Sequence, residues 1–338
     1  MLKQYLFGLL VIFLVGSCAK KSATPPKVKG QDTVAVVKKQ MYQADPTVFY
    51  HGGTYYLYGT NDVNADIGFL VYTSKDMKNW TIPPGTKNGY ALINGDSYGT
   101  AGFWAPQVFY ANNKFYMAYT ANENIAIAQS DSPVGPFVQT VKQALPATAK
   151  QIDPFVFFDT DGKAYLYHVR LQNGNRIYVA ELNEDYTGIK ANTLTECITA
   201  VTNSQPWEKT AGASVTEGPT VIKRNGLYYL FYSANDFRSV DYAVGYAVSS
   251  SPLGPWVKYT GNPIISKANL KYNGPGHGDL FTDANGNFNY VLHVHNSATV
   301  VIPRKTAIVS GKFTANGAGA DKFEIDPATF KQLTYTDK

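Results

Sequence analysis

At 338 residues the chain has room for one large β domain or two ordinary ones, and with 14% aromatic and 16% charged residues its composition excludes intrinsic disorder. The formal charge of +5 would suit a polyanionic partner, but residues 18–40 carry six lysines against Asp32 and Lys3 lies in the leader, so residues 41–338 sum to −1. With a nearly neutral main body, a nucleic-acid-binding reading loses its support.

The first residues, MLKQYLFGLLVIFLVGSCAKK, combine an early Lys, an apolar run too short to span a bilayer comfortably, and small residues before Cys18. Val15-Gly16-Ser17-Cys18 resembles the lipobox of bacterial lipoproteins. Residues 1–17 therefore read as a lipoprotein signal peptide and Cys18 as the lipidated N-terminus, with an ordinary secretory signal as the alternative. Residues 18–40 read as a flexible tether and 41–338 as the folded domain. The expected location is the cell envelope, on the outer membrane or its periplasmic or extracellular side, with the lipid anchor as the membrane contact. Cys197 is the other cysteine, so the mature chain has no disulfide framework, and Cys197 reads as an inert buried thiol.

Five hairpin units follow in chain order: ADPTVFYHGGTYYLYGT from Ala44, WAPQVFYANNKFYMAYT from Trp104, IDPFVFFDTDGKAYLYHV from Ile152, EGPTVIKRNGLYYLFYS from Glu217 and HGDLFTDANGNFNYVLHVH from His277. Each is a short apolar strand, a Gly, Asn or Asp turn, and an aromatic-rich alternating strand. Their starts are 60, 48, 65 and 60 residues apart. A second motif trails each hairpin, and SPVGPF and SPLGPW are near-copies of one turn. Repeats of this length, with no sustained helical period, predict an all-β, five-bladed β-propeller.

The inner strands of a propeller line its channel, so equivalent positions form rings. Aligned on the repeats, one ring holds Asp45, Ala105, Asp153, Gly218 and Gly278, and the layer before it holds Ala44, Trp104, Ile152, Glu217 and His277. Taken singly, Asp45-Pro46 and Asp153-Pro154 read as turn openers. Taken with Glu217 they form a phased set at one end of the channel, where neighbouring carboxyls raise one another's pKa and one of them can donate a proton.

At these residues the sequence resembles glycoside hydrolase family 43, over roughly residues 41–310. The resemblance implies an inverting glycosidase with Asp45 as general base, Glu217 as general acid and Asp153 as the residue that tunes and orients the acid. It matches His277 to a channel His near a bound cation or water, which leaves room for a structural calcium without requiring any cofactor. Trp104 matches a stacking aromatic, with Phe103 pointing away, and Arg304 matches a substrate-contacting Arg, a surface ion pair being its alternative. His168, Arg170 and Arg238 are further pocket candidates; His293 and His295 receive no role. The implied substrate is an oligo- or polysaccharide of plant type, attacked by an exo-acting α-L-arabinofuranosidase or β-xylosidase. The alternatives are a galactan- or arabinan-cleaving enzyme and a non-catalytic glycan-binding lipoprotein. Loops 85–102 and 199–216 are expected to shape the pocket.

Overall fold

The computed structural model describes residues 37–337 apart from 211 and 318. Cys18, the signal peptide and the tether up to residue 36 lie outside the described residues. The described chain is a five-bladed β-propeller. Each blade starts with an inner hairpin: Gln43–His51 with Thr54–Asn61, Trp104–Ala111 with Lys114–Ala121, Gln151–Phe158 with Ala164–Leu171, Thr216–Arg224 with Leu227–Ala234, and Leu280–Thr282 with Phe288–Val294. Paired left-handed residues close three of these hairpins, Gly52-Gly53, Asn112-Asn113 and Asn225-Gly226, giving the backbone twist that suits a tight β-turn.

Blade one is completed from outside its own repeat. Thr334–Thr336 runs parallel to Trp80–Thr81 and antiparallel to Lys38–Gln40, closing the ring. Lys38–Gln40, assigned to the tether by composition, is thus the outermost strand of blade one; its register against Thr334–Thr336 carries no hydrophobic signal, which is why sequence missed it.

Five apolar clusters sit one at each blade interface, for example Tyr58, Phe69, Phe103 and Tyr119 between blades one and two, and Phe231, Tyr246, Tyr290 and Phe323 between blades four and five. Burial between blades, on both faces of every sheet, is what holds the ring closed. Cys197 is half-buried in one such cluster, and burial pushes its thiol up, leaving it protonated and unreactive.

Every inner strand carries a bulge at its channel end. The bulged residue is left-handed in all five blades: Asp45 (φ 48°), Ala105 (45°), Asp153 (55°), Gly218 (59°) and His277 (38°). A non-glycine residue held there costs about 1–3 kcal/mol, and the bulge aims its side chain into the channel. The ring therefore contains His277, not Gly278, and Gly276 rather than His277 lies in the layer before it. Gly276 pairs with His293, and the Val291 N–H donates to Asp279 O, which places the bulge at His277-Gly278. The repeat alignment slips by one residue there because Gly278 stands where the other blades have the proline that marks the register.

Candidate active site

The ring and the layer before it open into a cavity of about 520 Å³ to which all five blades contribute. Asp45, Asp153, Glu217, His277, Trp104 and Arg304 all line it. Beneath them the channel narrows between Pro46, Pro106, Pro154, Pro219 and Gly278 to about 20 Å³, room for roughly one water.

Asp45 sits among cations and donors. Arg304 Nη1 donates to its Oδ1 at 3.1 Å, the Thr60 hydroxyl donates to its Oδ2 at 2.7 Å, and His277 Nδ1 lies 3.3 Å from Oδ1. Burial alone would raise the Asp45 pKa, but the neighbouring Arg304 and His277 outweigh it and hold the carboxyl well below its ordinary value. Arg304 is held in turn by Asp62, through its backbone N–H (2.6 Å), Nε (3.1 Å) and Nη2 (2.8 Å), and its guanidinium lies 4.5 Å from the centre of the Phe237 ring. His293 is buried against the same Arg, falls to about 4 and is neutral, so its Nδ1 accepts the Asp45 backbone N–H at 3.2 Å.

Glu217 is in the opposite state. Burial raises its pKa, with Asp45 adding to the rise, against the lowering effect of His277 and of hydrogen bonds donated by the Tyr242 hydroxyl (2.7 Å to Oε1) and Asn175 Nδ2 (2.9 Å to Oε2). Asp153 is raised as well, by burial first and then by the charges of Glu217 and Asp45. Burial would lower the His277 pKa, but the three surrounding carboxyls outweigh it and raise it above its ordinary value, with Nδ1 between Asp45 and Asp153. The His277 ring also explains the small residue beside Glu217: a Cβ at Gly218 would fall 2.7 Å from that ring. The pocket therefore holds one carboxyl pushed toward its ionised form and two pushed toward their protonated forms.

Trp104 is half-buried on the pocket wall, while its neighbour Phe103 is fully buried and packs against Phe69 and Tyr119, as alternation requires. Arg304 is a buried member of the site rather than a surface ion pair. Three candidates fall elsewhere. His168 is buried on the face of its strand shared with Leu166 and Arg170, outside the cavity lining; Arg170 donates to the Thr148 hydroxyl there. Arg238 is exposed and outside the cavity lining, paired with Asp236 at the rim. The mouth is formed by Ala65, Asp236-Phe237 and Ile302, so the segments after the second strands of blades one, four and five shape it, and of loops 85–102 and 199–216 only Val215 takes part. His295, unassigned from sequence, donates through Nε2 to Phe237 O at 2.9 Å and fixes that wall.

Among the described residues no group of three His, Cys, Asp or Glu side chains is arranged to hold a metal. His277 turns Nδ1 to the carboxyls, and Nε2 is its one ring nitrogen directed away from them. These donors do not make a protein-built calcium site, which takes six to eight oxygens, and no step below runs through a metal.

A family model described as glycosyl hydrolases family 43 matches residues 36–319. The chain is 26% identical over 271 residues to a protein of Aspergillus niger named β-D-galactofuranosidase, covering 75% of this chain and 74% of that one. It is 25% identical over 298 residues to a Cellvibrio japonicus protein named extracellular exo-α-(1→5)-L-arabinofuranosidase, covering 79% and 82%. A crystal structure from Bacteroides thetaiotaomicron named endo-1,4-β-xylanase superposes with a TM-score of 0.79 at 40% identity, over 90% of this chain and 100% of that one.

Proposed function

Because the chain belongs to glycosyl hydrolases family 43 and is a glycoside hydrolase, we propose that it removes terminal pentosyl units from plant-type oligo- or polysaccharides, as an inverting exo-acting α-L-arabinofuranosidase or β-xylosidase. The reading is supported by opposite environments in one pocket: Arg304, 3.1 Å from Asp45, favours the ionised form there, while burial favours the protonated form of Glu217. Asp45 takes a proton from water as its oxygen attacks the anomeric carbon. Glu217 gives its proton to the departing glycosidic oxygen on the other side of the sugar, and exchange with solvent resets both groups. Asp153, bonded to the Gly218 N–H beside the acid, tunes and orients it, Trp104 offers a face for the sugar ring, and Arg304 favours the ionised form of the base. No cofactor enters the scheme. The exo choice is supported by the bounded size of the cavity and by the name of the Cellvibrio relative.

The test is a panel of aryl α-L-arabinofuranosides, β-xylosides and β-galactosides, with the anomeric configuration of the first product read by proton NMR. Turnover of a pentoside with inversion is expected. Retention would remove the single-displacement scheme, and activity confined to internal linkages of arabinan or galactan would move the assignment to an endo-acting enzyme.

We further propose that Cys18 is lipidated and that the following lysine-rich stretch tethers the propeller at the cell envelope, on the pattern Val15-Gly16-Ser17-Cys18. In a bacterial host Cys18→Ser should lose labelled fatty acid and leave the membrane fraction. A variant that stays attached and labelled would rule the anchor out.

A further inference from the structure

Four blades share a hydrogen bond that the third lacks. The residue on the second strand opposite the last position before each bulge accepts a backbone N–H from the next blade. Thr60 Oγ1 accepts from Ala105 (3.0 Å), Thr120 Oγ1 from Asp153 (3.0 Å), Ser233 Oγ from His277 (2.8 Å) and His293 Nδ1 from Asp45 (3.2 Å). The pairs Ala44–Thr60, Trp104–Thr120, Glu217–Ser233 and Gly276–His293 put all four in one register. The fifth member of that register is Val169, opposite Ile152, fully buried and with no acceptor to offer.

The N–H left over belongs to Gly218, the residue after Glu217, and it donates to Asp153 Oδ2 at 3.3 Å. Thr60 has a second task that a valine cannot perform: while accepting from Ala105 it donates to Asp45 Oδ2. Asp45 and Asp153 occupy the same ring position, yet the first has a hydroxyl on its own blade and the second does not. A buried amide without an acceptor is costly, so the Asp153 carboxyl is drawn across to blade four to satisfy it.

We propose that Val169 is a positioning residue: by withholding the acceptor present in every other blade, it makes Gly218 recruit the Asp153 carboxyl to the side of Glu217. The proposal rests on the assignment of Glu217 as the acid. A hydroxyl at position 169 would take the Gly218 N–H and leave Asp153 free to turn toward His277, whose Nδ1 is 3.9 Å away. Glu217 would then lose the carboxyl that is hydrogen-bonded to the backbone beside it and so the neighbour that orients it.

The experiment compares Val169→Thr, which adds a hydroxyl at nearly constant volume, with Val169→Ala, which removes bulk and adds no acceptor. On a pentosyl oligosaccharide, whose departing oxygen needs a proton, Val169→Thr should lose roughly tenfold in kcat at unchanged KM. On the dinitrophenyl glycoside of the same sugar, which leaves unaided, it should match wild type. Val169→Ala should melt lower and keep the wild-type ratio between the two substrates. Equal losses on both substrates, the same pattern in both variants, or a folded Val169→Thr with unchanged kinetics would overturn the proposal. A crystal structure of Val169→Thr supplies a readout free of activity: the Gly218 N–H should move to the introduced hydroxyl, and its staying on Asp153 would refute the assignment of Val169. If wild type turned over no glycoside, the hydrolase reaction proposed above would fail, and that crystal structure would still decide what Val169 does.

Discussion

Replacing Glu217 by Gln is expected to lower kcat by about 10²–10⁴-fold on substrates whose leaving group is a sugar, and far less on aryl glycosides with acidic phenols. The amide resembles the protonated carboxyl that burial favours at this position, so the fold should tolerate it. The pH profile carries the sign. In wild type the rate should fall as pH rises through the raised pKa of the Glu217–Asp153 pair, and should hold on the acid side until the depressed pKa of Asp45 is reached. Glu217→Gln should lose the alkaline fall on aryl substrates. Stability follows the same logic. A carboxyl whose folded pKa is raised costs stability as pH climbs above its unfolded value, so the variant should gain on wild type in melting temperature as pH rises above about 4. Melting curves below and well above that point, with pH–rate profiles on two leaving groups, test the assignment. A loss of equal size on every leaving group would show that Glu217 acts by holding substrate rather than by giving up a proton.

How much of this was legible in the sequence depended on what marked each position. The hairpins were legible because period-two alternation and Gly/Asn turns recur in every repeat, and the carboxylate ring was legible where a proline follows the bulge, at Asp45 and Asp153. Blade five carries Gly278 instead, and His277 was read one position out of phase. Both faces of the strand Ala164–Leu171 are buried, so alternation could not say that His168 and Arg170 turn away from the cavity. Asp62, Asn175 and Tyr242 belong to no repeat pattern. Their parts depend on blades or loops distant in sequence, as with Asp62 and Arg304, which are 242 residues apart. The contribution of Val169 was invisible for a different reason: it consists of a missing hydroxyl, recognisable only once the other four blades supply the register.

Arg304→Met is expected to destabilise the protein by about 3–5 kcal/mol at neutral pH, the usual cost of breaking a buried ion pair from one side. The guanidinium is the shared partner of Asp45 and Asp62, both buried at the seam where blade five returns to blade one, and methionine would replace its bulk over Phe237 but not its charge. Arg304 stays ionised because the two carboxylates outweigh its own burial. Without it, burial becomes the dominant influence on Asp45, opposed by His277, and the Asp45 pKa should rise. In wild type the depressed pKa of Asp45 contributes stability above its unfolded value near about 4, and that contribution is lost as pH falls through the folded value. The variant reverses the dependence, losing stability as pH climbs above the same point. The gap between the two proteins should therefore be small in acid and widen toward neutrality, and the acid side of the variant's activity profile should move up with Asp45. Arg304→Lys, which restores one charge without the fork that grips both carboxylates, should fall between them. Urea unfolding at acid and neutral pH measures the gap. The same loss at both would mean that Arg304 serves the fold through its contact with Phe237, and that the ionisation of Asp45 is secured by His277 and Thr60 instead.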